Sequence, residues 1–198
     1  MREALVVVLA YLLGSLPSGY VAGLLRGVDI RQLGSKNVGA TNVFRTLGKG
    51  IGVAVMAADI AKGVAAVVIA KALADDPWPL IAAGAAIAGH VYPVWLRFRG
   101  GKGVAVGAGT VIGLLPLTAA VMLPFWAIVV VTTRYVSLAS ILSSILFIPV
   151  AWAFGASWPT LVFCGLASAA VLWRHRTNVV RLVRGTELRL ELRRARRA

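Results

Sequence analysis

Residues 104–132 read VAVGAGTVIGLLPLTAAVMLPFWAIVVVT, and the number of times this run crosses a bilayer decides the architecture of the chain. A membrane-spanning helix needs about 20 predominantly apolar residues, within a range of about 17–25. The run is too long for one such helix and short for two. Pro116, preceded by Gly113-Leu114-Leu115, offers a turn, because proline has no N–H and its ring clashes with the preceding helical turn. Splitting the run there predicts a short helical hairpin.

Working outward, the other apolar runs cover 4–24, 51–73, 78–96, 137–154 and 158–173, and most of them fit one span. Basic residues fill the gaps at 26–49, 97–102 and 134 and the tail from Arg174, whereas Asp75-Asp76-Pro77 marks an acidic gap. Cations collect in cytoplasmic loops. A single crossing of 104–132 would put Arg134 and the tail opposite the first two basic gaps, and a double crossing reunites them. The expected fold is therefore all-α: a polytopic integral membrane protein of seven transmembrane helices, amino terminus outside and carboxyl terminus cytoplasmic. The fourth and fifth helices would be short or tilted. The first span also has the length of a secretory signal. However, Arg2 is offset by Glu3, no small-x-small cleavage site follows, and basic residues come after it, so it reads as a retained helix.

Composition points the same way. The 198 residues are 59% hydrophobic, more apolar surface than a soluble domain of that length can bury. A net charge of +14 on a soluble protein would suggest nucleic acid. Here the cations sit between spans and in the tail, at Arg193, Arg194, Arg196 and Arg197, where they set orientation and touch anionic lipid. No nucleic-acid partner is expected. The sole cysteine, Cys164, excludes an intrachain disulfide. Two histidines, that cysteine and seven scattered carboxylates supply no metal cluster, and no cofactor is expected. With no internal repeat or linker, residues 1–198 read as a single integral membrane domain carrying polar segments at 34–45, 97–105 and 175–187.

Those segments hold the chemistry. The first interleaves Ser35, Asn37, Thr41, Asn42 and Arg45 with Gly34 and Gly39, a density of small hydrogen-bonding groups that a plain connector does not need. Arg45 suits bidentate contact with an oxyanion. Ser35 has the chemistry of a nucleophile, but no Gly-x-Ser-x-Gly elbow surrounds it, so a donor role toward phosphate is expected. In the second segment Gly100 and Gly101 would let backbone N–H groups converge on an oxyanion beside Lys102. Gly103 follows Lys102, so this is not a Walker A loop, which needs a hydroxyl there. The bland reading is a tight turn with orienting charges. In the third, His175 and Asn178 fall three apart and share a face on a helix, with Arg181 extending it. Asp59 and Lys62, one turn apart inside the second span, read as a structural ion pair, because isolated charges in a membrane are costly. His90 reads as a packing hydrogen bonder.

In order and content the three segments resemble the motifs of bacterial acyl-phosphate:glycerol-3-phosphate acyltransferases. Gly34-Ser35-Lys36-Asn37 through Asn42-Val43-Phe44-Arg45 is similar to the first motif. Gly89-His90-Val91-Tyr92-Pro93 through Arg99-Gly100-Gly101-Lys102-Gly103 is similar to the second, and His175-Arg176-Thr177-Asn178 through Gly185-Thr186-Glu187 to the third. The resemblance covers nearly the whole chain. It implies transfer of a fatty acyl group from acyl phosphate to glycerol 3-phosphate, yielding lysophosphatidate for phospholipid biosynthesis. The setting would be a bacterial plasma membrane with the site facing the cytoplasm, and an upstream enzyme would supply the acyl phosphate. It places Ser35, Arg45, Lys102, His175 and Asn178 in the catalytic group. Gly34, Asn37, Thr41, Asn42, Gly100, Gly101, Gly103 and Ser140 would bind substrate, while Glu187 would be structural. Direct attack by the glycerol-phosphate 1-hydroxyl is expected, with His175 or a substrate phosphate taking the proton. No His-x-x-x-x-Asp pair is present: Trp95 stands five after His90, and Val180 five after His175.

The alternative reading is a small organophosphate or anion transporter, with Asp59 and Lys62 lining its path. Such folds are commonly built from repeated halves, and no repeat is found.

Overall fold

The computed structural model describes residues 1–191, and these form ten α-helices and two 3₁₀ turns with no strand. Arg193, Arg194, Arg196 and Arg197, expected as lipid-surface anchors, lie outside the described residues.

The first apolar run is two helices, α1 (Arg2–Ser15) and α2 (Ser18–Leu24), not one. Pro17 explains the break, since it removes a donor from the helical ladder. After α3 (Ala40–Leu47) comes α4 (Lys49–Leu73), whose 25 residues make the longest element. That is about 37 Å at 1.5 Å per residue, enough to cross a hydrocarbon core. α5 (Trp78–Val91) stops two residues short of Pro93, and a 3₁₀ turn (Val94–Leu96) leads into the basic loop.

The 104–132 run does divide before Pro116, into α6 (Val104–Leu114) and α7 (Pro116–Thr133). Pro116 is the first residue of α7, where a missing N–H costs nothing. The halves are unequal, at 11 and 18 residues, so only α6 is short. The reason lies in its starting point. Gly109 packs on Ile60 and Gly113 on Val67, so α6 begins beside the middle of α4 and follows only its second half. α8 (Val136–Ala153), α9 (Trp158–Arg174) and α10 (Arg176–Val183) are the last helices among the described residues. Among the described residues, five segments are long and apolar enough to cross a membrane: Arg2–Leu24, Lys49–Leu73, Trp78–Leu96, Pro116–Thr133 and Val136–Ala153. α6 and α9 are apolar but shorter.

Small residues set how closely these helices approach, which in a bilayer replaces the hydrophobic drive between spans. A Cβ on Gly109 would sit 2.1 Å from the Ile60 carbonyl oxygen, and one on Gly14 would sit 2.1 Å from that of Ala86. The seams α4–α6 and α1–α5 therefore close backbone to backbone. A buried ion pair adds a polar pin. Lys62 Nζ lies 2.9 Å from Asp59 Oδ1 and donates to the Leu16 carbonyl at 2.8 Å, beside the Pro17 break. It also lies 3.2 Å from His90 Nδ1, which must accept because an ammonium has only donors. One side chain thus ties α4 to α1 and α5.

Candidate active site

At the end of the bundle where the basic loops meet, a cleft of about 740 Å³ opens between helices α3 to α10. All three polar segments line it, through Ser35, Asn37, Thr41 and Arg45, then Lys102 and Gly103, then His175 and Asn178. Away from them the walls turn apolar, with Met56 and Ile60 of α4, Met122 of α7, Phe147 of α8 and Phe163 of α9.

The first segment is a loop held by its own asparagines. Asn42 is 1% exposed; its Nδ2 lies 2.9–3.2 Å from the carbonyl oxygens of Asn37, Leu33 and Ile30. Its Oδ1 accepts the Ser35 N–H at 2.8 Å. Asn37 Oδ1 accepts the Gly39 N–H at 2.8 Å, closing the turn into α3. Gly34 takes φ +55°, and a Cβ there would meet Asn42 Oδ1 at 2.4 Å. These amides shape the loop and leave the exposed Ser35 hydroxyl, Thr41 and Arg45 toward the cleft. Thr41 and Arg45 are four apart in α3 and share a face. Arg45 Nη2 donates to the Leu188 carbonyl at 2.7 Å, and Nε is buried with no hydrogen-bond partner among the described residues. Burial lowers its pKa from the usual arginine value, offset in part by Glu187.

The second segment departs from expectation. The Gly100 and Gly101 N–H groups donate to the Val91 and His90 carbonyls at 3.0 and 3.1 Å, so neither amide is available to an oxyanion. Their own carbonyls accept Arg174 Nη2 at 3.2 and 3.0 Å. Neither glycine lines the cleft. Their small size instead lets the loop lie on the end of α5: a Cβ on Gly101 would sit 2.1 Å from His90 Nε2. That packing delivers Lys102 and Gly103 to the start of α6. The first-turn amides of a helix have no intrahelical acceptor, and Val104 and Ala105 open onto the cleft. Lys102 Nζ donates to Asn178 Oδ1. Burial pushes the ammonium down to about 8; Glu187 works against this, and Arg181, Arg174 and Arg45 reinforce it.

In the third segment His175 marks the junction of α9 and α10 and is 3% exposed. Its Nδ1 sits 2.8 Å from the Val171 carbonyl, which can only accept, so Nδ1 carries the proton and Nε2 keeps its lone pair. Burial, then the Lys102 charge, depresses the ring to about 4, so it is neutral at pH 7. Asn178 donates through Nδ2 to Glu187 Oε1 at 2.6 Å. Glu187 also accepts from Ser137 Oγ at 2.8 Å and from Arg181 Nε at 2.7 Å. Burial works to raise its pKa, but the hydrogen bonds from Ser137, Arg181 and Asn178 outweigh that and hold it below the usual carboxylate range. A line of contacts therefore runs from Glu187 through Asn178 to Lys102. Ser140 lines the cleft with its hydroxyl donating to the Val136 carbonyl at 2.9 Å and accepting Trp126 Nε1–H at 3.3 Å.

Asp59 reaches the cleft wall, whereas Lys62 does not. Among the described residues no group of histidine, cysteine and carboxylate side chains could hold a metal ion. Residues on the cleft wall that the sequence reading did not assign to the site include Arg174, Ser137, Ser144 and Trp126, whereas Arg181, read as extending the third segment's face, lines it too. Ser137, Ser140 and Ser144 recur at one face of an otherwise apolar helix, a signal open to inspection. Arg174 has no such signal, being one more cation at a span end.

A family profile described as glycerol-3-phosphate acyltransferase matches residues 4–185. A glycerol-3-phosphate acyltransferase of Rubrobacter xylanophilus is 47% identical over 189 residues, covering 94% of each chain. One from a Synechococcus species is 44% identical over 192 residues, covering 96% of each. Among solved structures, PlsY, an integral membrane glycerol 3-phosphate acyltransferase, superposes in its glycerol 3-phosphate form with a TM-score of 0.92 at 39% identity, covering 96% of each chain. Its lysophosphatidic acid form gives 0.89, covering 96% of this chain and 95% of that one.

Proposed function

This chain belongs to the glycerol-3-phosphate acyltransferase family, and we propose that it moves a fatty acyl group from acyl phosphate to the 1-hydroxyl of glycerol 3-phosphate. The products are lysophosphatidate and inorganic phosphate. One observation carries the reading: groups as distant in sequence as Arg45, Lys102 and His175 line a single cleft that is cationic at one end and apolar at the other. A phosphate fits the first end and an acyl chain the second.

Arg45 and Lys102 bind phosphate and offset charge that develops in the transition state, with the Ser35 hydroxyl and the α6 amino end as further donors. Asn178, oriented by Glu187, holds the Lys102 ammonium in place. The glycerol-phosphate 1-hydroxyl attacks the acyl carbonyl, the carbon–oxygen bond to phosphate breaks, and the proton ends on the departing phosphate. A ring held near 4 is a weak base at neutral pH, whereas phosphate titrates near about 6 and is the better acceptor. His175 Nε2 accepts a hydrogen bond from the attacking hydroxyl and aims it. Phosphate is already a good leaving group, so no acyl-enzyme is required.

The chain acts as one unit over residues 1–198. It crosses a bacterial plasma membrane seven times, counting α6 and α9 as spans, with the amino terminus outside and the cleft toward the cytoplasm. The assay is purified protein with acyl phosphate and glycerol 3-phosphate, and acyl-CoA as control donor. Lysophosphatidate formed from acyl phosphate alone is the expected result. Equal yield from acyl-CoA would overturn the donor, and uptake into liposomes without product would overturn the enzyme.

A further inference from the structure

Beyond Gly185, whose φ of +68° reverses the chain, residues 186–191 run without helix over the mouth of the cleft. They lie past the last residue matched by the family profile. Successive residues tie down different neighbours. Glu187 joins Ser137, Asn178 and Arg181. The Leu188 carbonyl takes Arg45 Nη2. Arg189 Nε donates to the Tyr135 hydroxyl at 3.0 Å. The Leu190 N–H donates to the Arg134 carbonyl at 2.7 Å, and its side chain, 7% exposed, is buried with Val130 and Ala139 against Phe44 and Trp126.

We propose that residues 186–190 are a positioning strap for Arg45. Leu190 docks the strap on α7 and α8; the docked strap presents the Leu188 carbonyl; and that carbonyl fixes one arm of the guanidinium. Nε, which has no protein partner among the described residues, and the second Nη are then left for a substrate phosphate. Phe44, packed against the same cluster, precedes Arg45 in α3, so the strap also fixes the backbone from which the guanidinium extends. Ordering a long side chain before substrate arrives removes an entropic cost of binding, roughly 2- to 10-fold in affinity. Leu190 sits on the cleft wall beside Leu188, and its effect on phosphate binding is exerted through Arg45. This rests on the reading of Arg45 as a phosphate ligand.

The test is a double-mutant cycle in the full chain. Leu190→Ser and Leu190→Met are made alone and with Arg45→Ala, and glycerol 3-phosphate KM is read by turnover and Kd by calorimetry. Leu190→Ser is expected to raise both about 5-fold while kcat changes less than 2-fold, and Leu190→Met, which keeps the apolar anchor, is expected to restore the parent values. In the Arg45→Ala chain, Leu190→Ser should add less than 2-fold to Kd. The same 5-fold factor in both backgrounds, or no effect in the parent, overturns the strap. Leu190→Ala, a milder truncation, stands in if the serine variant is not monodisperse. A parent chain that makes no lysophosphatidate would instead sink the functional reading.

Discussion

At Lys102, burial works against the charge that a phosphate needs. Desolvation lowers the ammonium to about 8, so the phosphate-binding form dominates below that pH and is lost above it. Because kcat/KM reports the free enzyme, it should fall about tenfold per unit above pH 8 in glycerol 3-phosphate titrations. Lys102→Arg should move that limb to higher pH, since guanidinium titrates beyond about 12. An unmoved limb would assign it to another group. Lys102→Ala should cut kcat/KM roughly 10- to 100-fold, the worth of a charge-assisted hydrogen bond of about 1.5–3 kcal/mol, while the protein still inserts. Turnover within 2-fold of the parent would remove Lys102 from the site. The choice of Lys102, Arg45 and His175 as candidates was legible in sequence, because residue type and spacing state their chemistry. The engagement of Asn42 with its own loop was not, because an amide's partners depend on the turn that brings backbone carbonyls to it.

Helices here meet where side chains are smallest. α6 lies backbone to backbone on α4 because Gly109 and Gly63 admit the facing helix; a Cβ on Gly63 would stand 2.3 Å from the Val106 carbonyl oxygen. Gly109→Ala should therefore push α6 from α4 and lower the unfolding temperature in detergent, by about 1–3 kcal/mol of overpacking. Gly50→Ala, where nothing lies within 4 Å of the added carbon, serves as the control and should be neutral or stabilising. Equal unfolding temperatures for the two variants would mean the seam is loose. Proline and hydropathy revealed the α6–α7 break in advance. They did not reveal that α7 would be long and α6 short, because that follows from where the preceding loop packs against α5. The Pro17 break was equally present in the sequence, but the continuous apolar run around it concealed it.

Over the whole molecule, the proposed orientation puts the basic loops on the cytoplasmic side and the acidic turn outside. With Cys164→Ser as background, Asp75→Cys should react with an impermeant maleimide on intact cells, and Gln32→Cys, at an exposed position of the first basic gap, only after permeabilisation. The reverse pattern would invert the protein. By itself the sequence determined the helical class, the placement of the apolar runs, the segregation of cations and the three polar segments that line the cleft. Those are sums over neighbouring residues, and hydrophobicity, proline and charge act locally in a bilayer. Tertiary structure alone decided how the chemistry is wired. It engaged the Gly100 and Gly101 amides on α5, set Lys102 on Asn178 at a separation of 76 residues, and set Arg45 on Leu188 at a separation of 143. A donor's partner is whichever acceptor the packed backbone brings within about 3 Å, and no local pattern encodes that distance.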